Sequence, residues 1–406
     1  MHRKLKFMAL GLGCALFWAM SGSSALGVPA EVYFPDDTVS LCEKLHRMPT
    51  EQLSSSIENS VTANSREYLA RGLNRYALDV RYANTLGRIC ASISPFIPRA
   101  YANGNVSLLF MEQLPQVQGS APYTASNLGK YTPTKNKVVI CSLASSSSYG
   151  AYTYYRTIMI DSFMLDALYR VAQYRAYSGN YDNTYEQVLA GYAAEVGQAP
   201  QANIRSFPDI SRGLLMRSGV AITNPFLPFD RSYECFGSKS GLKWEALSFH
   251  SIDRDGVKWA NPAHIPLPMG YDADSLDREA GRNFERLIAP ILCRKLSHCL
   301  LDHNRIRLEK AIALRGRLNN LGDASEAESG VRRFLYHSVI PQQEREAVIY
   351  GAKLGRMIGL RVQDFEEGFW FESLIEKSKG LTKDFESNPQ YVERRRLVEK
   401  AFLNEI

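Results

Sequence analysis

The amino-acid sequence predicts a predominantly helical α+β fold, in which a small sheet is packed by helices and the C-terminal half is helical. Apolar residues recur at helical spacing near both ends of the chain, as in helices that bury one face. Between them, short runs rich in Tyr, Thr, Val and Ile predict strands. We therefore expect one main globular domain over 28–406, with N-terminal helices in 28–97, a mixed region in 98–272 and helices in 273–406.

The first 27 residues have the three parts of a secretory signal peptide. Arg3, Lys4 and Lys6 form a positive start, and the apolar run over 7–20 is short for a membrane span. Ala25-Leu26-Gly27 then offers small residues to a signal peptidase. We expect a secreted or periplasmic protein with no membrane span once this segment is removed. Retention of the segment as an uncleaved anchor is the alternative.

The remaining chain has a nearly balanced charge. The segment 1–27 holds three basic residues and no acidic ones, so 45 basic and 42 acidic residues are left, a net charge of +3. A nucleic-acid-binding domain carries a concentrated positive charge, and we therefore exclude a nucleic-acid partner. Six cysteines follow residue 27, and disulfide pairing among them is expected in an oxidising compartment. Cys293 and Cys299 lie about 9 Å apart along a continuous helix, too far to be linked to each other.

The N-terminal region carries a helix-start pattern. Asn64 is followed three residues later by Glu67, a capping box in which each side chain satisfies a backbone N–H. Apolar residues then keep helical spacing until Pro95. The sequence thus predicts one long helix over 64–93.

The mixed region predicts strands followed by two helices. The first helix has apolar positions at Leu165, Leu168, Val171 and Ala172. A second capping box, Asn183 with Glu186, begins another helix over 183–198, and Glu195 lies at the edge of its apolar stripe. Scattered prolines and aromatic residues over 200–272 predict an excursion across the core. The predicted strands are 106–110, 137–141 and 152–160.

The C-terminal half predicts helices from Asp274 nearly to the end of the chain, with a kink or restart at Pro290. One of these helices carries Gly351, Gly355 and Gly359 at every fourth position. Three glycines inside a helix cost about 2–3 kcal/mol relative to alanine. We therefore expect another part of the chain, or a partner, to approach their backbone closely.

Two residue clusters are candidates for chemistry or binding. His298, Cys299, Asp302 and His303 resemble a ligand set, but on one helix His298 and Asp302 share a face about 100° from that of Cys299 and His303. No single ion reaches all four, and we predict neither a bound metal nor a cofactor. Ten of the 22 tyrosines lie between Tyr149 and Tyr192, and they line either the rim of the sheet and helices or a groove for a carbohydrate or peptide ligand.

Three short pieces of the sequence carry a family resemblance: residues 188–190 (VLA), 194–198 (AEVGQ) and 279–282 (EAGR). The first two are similar to parts of the active helix VLAHExGH of gluzincin-type zinc metallopeptidases, and the third is similar to the later ExEADR helix of that family. The resemblance covers residues 150–310. The resemblance implies Glu195 as general base and Glu279 as the counterpart of the third zinc ligand. Ala194 and Gln198 stand where the family has its two zinc-binding histidines, so a zinc site of that type is not implied.

The function expected from the sequence is that of an exported cell-envelope protein, a non-catalytic binding or assembly protein that binds an envelope protein, a carbohydrate or a peptide. The alternative is a peptidase-like hydrolase related to zinc metallopeptidases, with Glu195 and Glu279 as its catalytic residues.

Overall fold

We describe a computed structural model of the 406-residue chain. The described residues are 36–75, 77–78, 82–101, 106–111, 123, 124, 126, 128–144, 150–161, several positions between 164 and 176, 253–254, 257–258, 273–318, 324–378 and 389–404.

The N-terminal region consists of helices interrupted by a two-residue strand. Helix α2 begins at Thr50 and ends at Arg75, so the single helix predicted over 64–93 is wrong, and Asn64 lies inside α2 rather than at its start. The chain leaves the helix because Ala77 and Leu78 pair antiparallel with the end of a sheet strand, whose ladder then supplies their backbone hydrogen bonds. The elements are α1 (Asp36–Leu45), α2 (Thr50–Arg75), β1 (Ala77–Leu78), α3 (Ala83–Ile93), a 3₁₀ turn (Ser94–Phe96) and α4 (Ile97–Ala100).

The sheet is small, as predicted, and it combines parallel and antiparallel strands. Strand β3 is central, with β5 on one side and both β1 and β2 on the other, while β4 forms the edge next to β5. β2 and β5 run parallel to β3, with Leu108 opposite Val138 and Ile158 opposite Ile140. The strands are β2 (Ser107–Phe110), β3 (Lys137–Ala144), β4 (Ala151–Tyr154) and β5 (Thr157–Asp161).

The predicted strand over 152–160 is in fact the hairpin formed by β4 and β5. The chain reverses at Tyr155, whose φ of 50° places it in the left-handed region, and Tyr154 pairs with Thr157 across the turn. Two-residue hairpin turns need a positive φ, which usually selects glycine or asparagine. The pattern of strand-forming residues carries no sign of this turn, since tyrosine occupies it.

Both faces of the sheet are covered, because side chains alternate along each strand. Val138, Ile140 and Ile158 contribute to the largest apolar core, which also contains residues of α3 and of the long C-terminal helices. Val139 and Met159 point to the opposite face and pack with residues of α2. The residues described between 164 and 176 are helical, as predicted for the segment after β5, and Leu165, Leu168, Val171 and Ala172 are buried.

The C-terminal half is helical, as predicted. Helix α5 runs through Pro290 without ending there, so of the kink or restart expected at this residue the restart is wrong. The packing of this buried segment outweighs the roughly 3 kcal/mol that an interior proline costs. The elements are α5 (Ala273–Leu300), α6 (His303–Leu318), α7 (Ala324–Phe334), a π-helix (Leu335–Val339), α8 (Ile340–Met357), α9 (Val362–Ser378) and α10 (Pro389–Leu403).

The predicted glycine ladder has three different environments. A Cβ on Gly351 would lie 3.0 Å from the Cα of Arg294, so here α5 approaches α8 as closely as expected. A Cβ on Gly355 would lie 2.5 Å from the ring of Phe365. Gly359 lies beyond the end of α8 with φ of +86°. The N–H of Leu360 donates to the carbonyl of Gly355, which closes the helix in a Schellman motif.

The expected disulfides are not found among the described residues, where Cys42, Cys90, Cys141, Cys293 and Cys299 are all buried free thiols. Burial raises the pKa of Cys90 and Cys141 to about 12. The prediction that Cys293 and Cys299 are not linked is confirmed, and α5 is continuous over both. Within the described helices, none is both long and apolar enough to cross a membrane.

Three predictions lie outside the described residues: the signal peptide, the helix over 183–198 with Glu195, and most of the excursion over 200–272. From the last region the structure describes only β6 (Asp253–Arg254) and β7 (Val257–Lys258), which pair antiparallel.

Candidate functional site

The candidate site lies at the corner where α5 ends and α6 begins. His298 and His303 were predicted to lie on different faces of one helix, and this prediction is wrong because the helix breaks between them. α5 ends at Leu300, Asp302 adopts a φ of 57°, and α6 starts at His303. The break turns the two imidazoles toward each other, with their Nδ1 atoms 2.9 Å apart.

The tip of the β4–β5 hairpin holds this corner. Arg156 is 5% exposed and donates from its guanidinium to Asp302 Oδ1 at 2.9 Å and to the carbonyl of Lys135 at 2.6 Å. The thiol of Cys299 donates to the carbonyl of Tyr155 at 3.2 Å. Burial raises the pKa of Asp302, and the neighbouring Arg156 opposes this rise. A turn of the sheet thus fixes the helix break that forms the histidine pair.

Helices α8 and α9 supply carboxylates to the end of α5. Arg294 donates to Glu344 Oε2 at 3.0 Å and to both carboxylate oxygens of Glu372 at 2.7 Å. Glu344 also lies beside the histidine pair, with Oε1 3.2 Å from His298 Nε2. The side chains of Arg294, Glu344 and Glu372 are 3%, 9% and 11% exposed, so this ion cluster lies inside the helix packing.

A second set of hydrogen bonds joins α6 to α8. Arg307 donates to the side-chain oxygen of Gln343 at 2.8 Å, and the Gln343 amide donates to the carbonyl of His303 at 2.7 Å. The outer ring nitrogen of His303, Nε2, lies 3.2 Å from Glu346 Oε2. The first turns of α8 therefore bind the corner through polar side chains that reach both α5 and α6.

The backbone of α8 explains how its side chains reach this position. Gly351 allows α8 to lie against the Arg294 backbone, and Glu344 is seven residues earlier, hence on the same face two turns away. The π-helix over 335–339 directly precedes α8. A π turn adds a residue to the helix and shifts the face that the next helical segment presents, and such turns recur at functional sites.

Electrostatics divide the cluster into neutral rings and ionised carboxylates. Burial lowers the pKa of His298, against the opposing effect of Glu344, and it lowers the pKa of His303 to about 2. Burial acts to raise the pKa of Glu344 and of Glu372, but the guanidinium of Arg294, which donates to both carboxylates, holds the pKa of each below its usual value. At neutral pH the pair is therefore uncharged, and both carboxylates are negative.

Two of the contacts are close without being well aligned. His298 Nε2 and His303 Nε2 lie 3.2 Å from Glu344 and Glu346, yet neither ring nitrogen has an aligned hydrogen-bond partner among the described residues. A buried polar atom without an aligned partner costs about 1–3 kcal/mol. The pair is therefore a weak point in a network whose arginine contacts are short and direct.

In the part of the chain that the structure describes, no three His, Cys, Asp or Glu side chains converge as metal ligands. Of the four residues that looked like a ligand set, Asp302 is bound by Arg156 and Cys299 donates to a backbone carbonyl. What the site does hold is a buried imidazole pair between two carboxylates, which is chemistry for storing or moving a proton.

Of the two predicted catalytic residues, Glu279 is not part of this site. Glu279 is half-buried on α5, and 19 residues of helix separate it from His298, about 28 Å at 1.5 Å per residue. Glu195 lies outside the described residues, so its pairing with Glu279 stays a prediction.

Arg294, Glu344 and Glu372 were not predicted as site residues from the sequence. One signal was present for two of them: Arg294 continues the stripe of Leu287 and Ile291, and Glu344 lies three residues before buried Ala347 on α8. A charged residue on an apolar stripe is rarely fully buried unless it is paired, so each of these positions required a partner.

Comparisons with known proteins give no relative on which to draw. The chain matches no protein-family model, and searches of curated proteins and of solved structures found no similar protein.

Proposed function

We propose that the protein is an exported binding or assembly protein of the cell envelope, whose helical half is a rigid, non-catalytic scaffold. The observation that carries this proposal is the ion cluster around Arg294, which joins α5, α8 and α9 through contacts of 2.7 and 3.0 Å. The signal-like N-terminus supports the exported location.

The burial of the cluster supports a structural role. A group that acts on a substrate needs to lie within hydrogen-bond reach of it. Arg294 is 3% exposed and is enclosed by carboxylates from two helices, so a substrate would have to separate α8 and α9 from α5 to reach it. Buried charge pairs of this kind are costly to break and fix the register of the elements that they join.

A groove on the surface supports the binding role. It lies between α1 and α7, is open to solvent and has a volume of about 470 Å³. Both signs of charge line it, from Glu43 and Lys44 on one helix and from Glu328 and Arg332 on the other; Val39 and Ser40 complete the lining. A peptide segment that carries charges of both signs is the ligand that complements such a groove.

Site-specific photo-crosslinking in intact cells tests this function. A photoreactive side chain at Ser40, which is exposed in the groove, is expected to crosslink one envelope partner. The matched control is the same side chain at Ser92, exposed on α3 outside the groove, where no such product is expected. The proposal fails if Ser40 and Ser92 give the same products.

The hydrolase alternative has its own signature. Stoichiometric zinc in the purified protein, lost together with a peptide-cleaving activity in Glu279→Gln, would establish that alternative and overturn the non-catalytic scaffold.

A further inference from the structure

The histidine pair belongs to a chain of four side chains that runs from the interior to the surface. Its order is Glu344, His298, His303, Glu346, with successive contacts of 3.2, 2.9 and 3.2 Å. Glu344 is 9% exposed at the inner end, and Glu346 is 39% exposed at the outer end. Each neutral imidazole carries one N–H, so the chain has two ring protons for three contacts.

The buried carboxylate decides where those two protons lie. Glu344 is ionised and lies 3.2 Å from His298 Nε2, a contact that is not aligned as a hydrogen bond but favours the proton on that nitrogen. His298 Nδ1 is then left to accept from His303 Nδ1–H at 2.9 Å. The contact without a proton is then the outer one, between His303 Nε2 and Glu346. There the Gln342 amide already donates to Glu346 at 2.9 Å, and the carboxylate is partly solvated.

A third proton would fill the outer contact but would place a positive charge among cations. Charged groups from every helix packed around these four side chains face them, and most of these groups are positive. They are Arg294 and Lys295 on α5, Arg307 and Lys310 on α6, Glu344 and Glu346 on α8, Glu372 on α9, and Arg394 on α10. Asp302 and Arg156 pair with each other at the corner itself.

We infer that the His298–His303 pair is an acid-sensitive latch, which holds α8 on the α5–α6 corner while it is neutral and releases α8 when it takes up a proton. The contacts of the two histidines with Glu344 and Glu346 are the misaligned ones in the network. Separation of α8 from the α5–α6 corner therefore costs least free energy at this point. The latch does not depend on the identity of the partner, and its failure would leave the proposed binding function unaffected.

The sign of the pH dependence is set by the pKa of each ring. Burial lowers the pKa of both histidines when the latch is closed, while an open, solvated histidine titrates near 6.5. The open state therefore binds more protons below about pH 6.5, and the closed state loses stability as the pH falls through that value. At pH 5.0, one such histidine favours opening by about thirtyfold.

Hydrogen exchange of the full exported chain tests the latch at pH 7.5 and 5.0. After correction for the intrinsic exchange rate, amides of α8 over 343–352 are expected to lose protection by about thirtyfold or more at the lower pH, since a detached helix of this length is marginal in water. Amides of β3 over 137–144, in the sheet core, are expected to keep theirs.

Two sets of variants distinguish protonation of the His298–His303 pair from other effects of low pH. His298→Asn combined with His303→Asn is expected to abolish the pH-dependent difference between α8 and β3, and His337→Asn, at an exposed histidine of the π-helix, is expected to leave it intact. If the double variant does not fold, the contrast between α8 and β3 in the wild type still decides. Equal loss of protection in α8 and β3, or unchanged protection in α8, would overturn the proposal.

Discussion

One stripe of α5 is apolar in its first half and polar in its second half, and the two halves are packed in different ways. Leu287, Ile291, Arg294 and His298 succeed one another at spacings of four, three and four residues, and all are buried. Around Leu287 and Ile291, α9 approaches α5 closely at Gly368, where an added Cβ would lie 3.1 Å from the backbone carbonyl of Leu287. Around Arg294 and His298 the neighbours are carboxylates.

The difference shows what each kind of contact requires. Apolar packing is non-directional and tolerates modest changes of shape. The polar half needs specific partners from α8 and α9 at hydrogen-bond distance, and removal of a partner of Arg294 leaves a charge buried alone. The same helix face therefore tolerates conservative substitutions over its first two turns and does not tolerate loss of a side chain over the next two.

The largest expected effect is at Arg294. Arg294→Ala leaves Glu344 and Glu372 buried without their cation, and we expect a loss of about 3–5 kcal/mol in the free energy of unfolding. Ile291→Val, on the apolar half of the same stripe, is expected to cost about 0.5–1.5 kcal/mol. Denaturant unfolding at pH 7.5 measures both.

An exposed arginine gives the matched control for this comparison. Arg88 pairs with Glu285 but is 59% exposed, and Arg88→Ala is expected to cost less than about 1 kcal/mol. Equal losses in the Arg294 and Arg88 variants would mean that burial of the charge does not matter.

A smaller effect is expected where α8 meets α5. Gly351→Ala places a Cβ 3.0 Å from the Arg294 backbone, and we expect this overpacking to destabilise by about 1–3 kcal/mol. Gly316→Ala, in α6, meets no atom within 4 Å and is expected to stabilise by up to about 1 kcal/mol through helix propensity. Thermal unfolding of both variants checks the sign; stabilisation by Gly351→Ala would show that the helices are not in close contact there.

These contrasts also explain how far the sequence predicts the molecule. The helices of the C-terminal half and the strands around Leu108 and Val138 were predicted because hydrophobic periodicity is local information. The helix break at Asp302 was not predicted, since it contains neither glycine nor proline and is held by Arg156, 146 residues away in the chain. The hairpin turn at Tyr155 was not predicted either, because it also contains neither glycine nor proline.

The candidate site was predicted only in part. His298 and His303 were recognised as a cluster, but their contact depends on that break. Arg294 and Glu344, 50 residues apart, become partners only through the packing of α8 on α5, which local patterns do not specify. The charged residues on apolar stripes indicated that partners were needed and could not say which.

The most direct test of a structural rather than chemical role is to replace the ion cluster by apolar residues. Arg294→Met, Glu344→Leu and Glu372→Met together remove all three charges. Replacing a buried ion cluster by apolar residues is often neutral or raises the free energy of unfolding by about 1–4 kcal/mol. Loss of the carboxylate beside His298 Nε2 lowers it by about 1–3 kcal/mol. We therefore expect the free energy of unfolding of the triple variant to lie within about 2 kcal/mol of the wild-type value. The measurement is the yield of the partner crosslink formed by a photoreactive side chain at position 40 in this triple variant. An unchanged crosslink in the folded triple variant is the predicted result, and disappearance of that crosslink in a variant of wild-type stability would contradict the scaffold account.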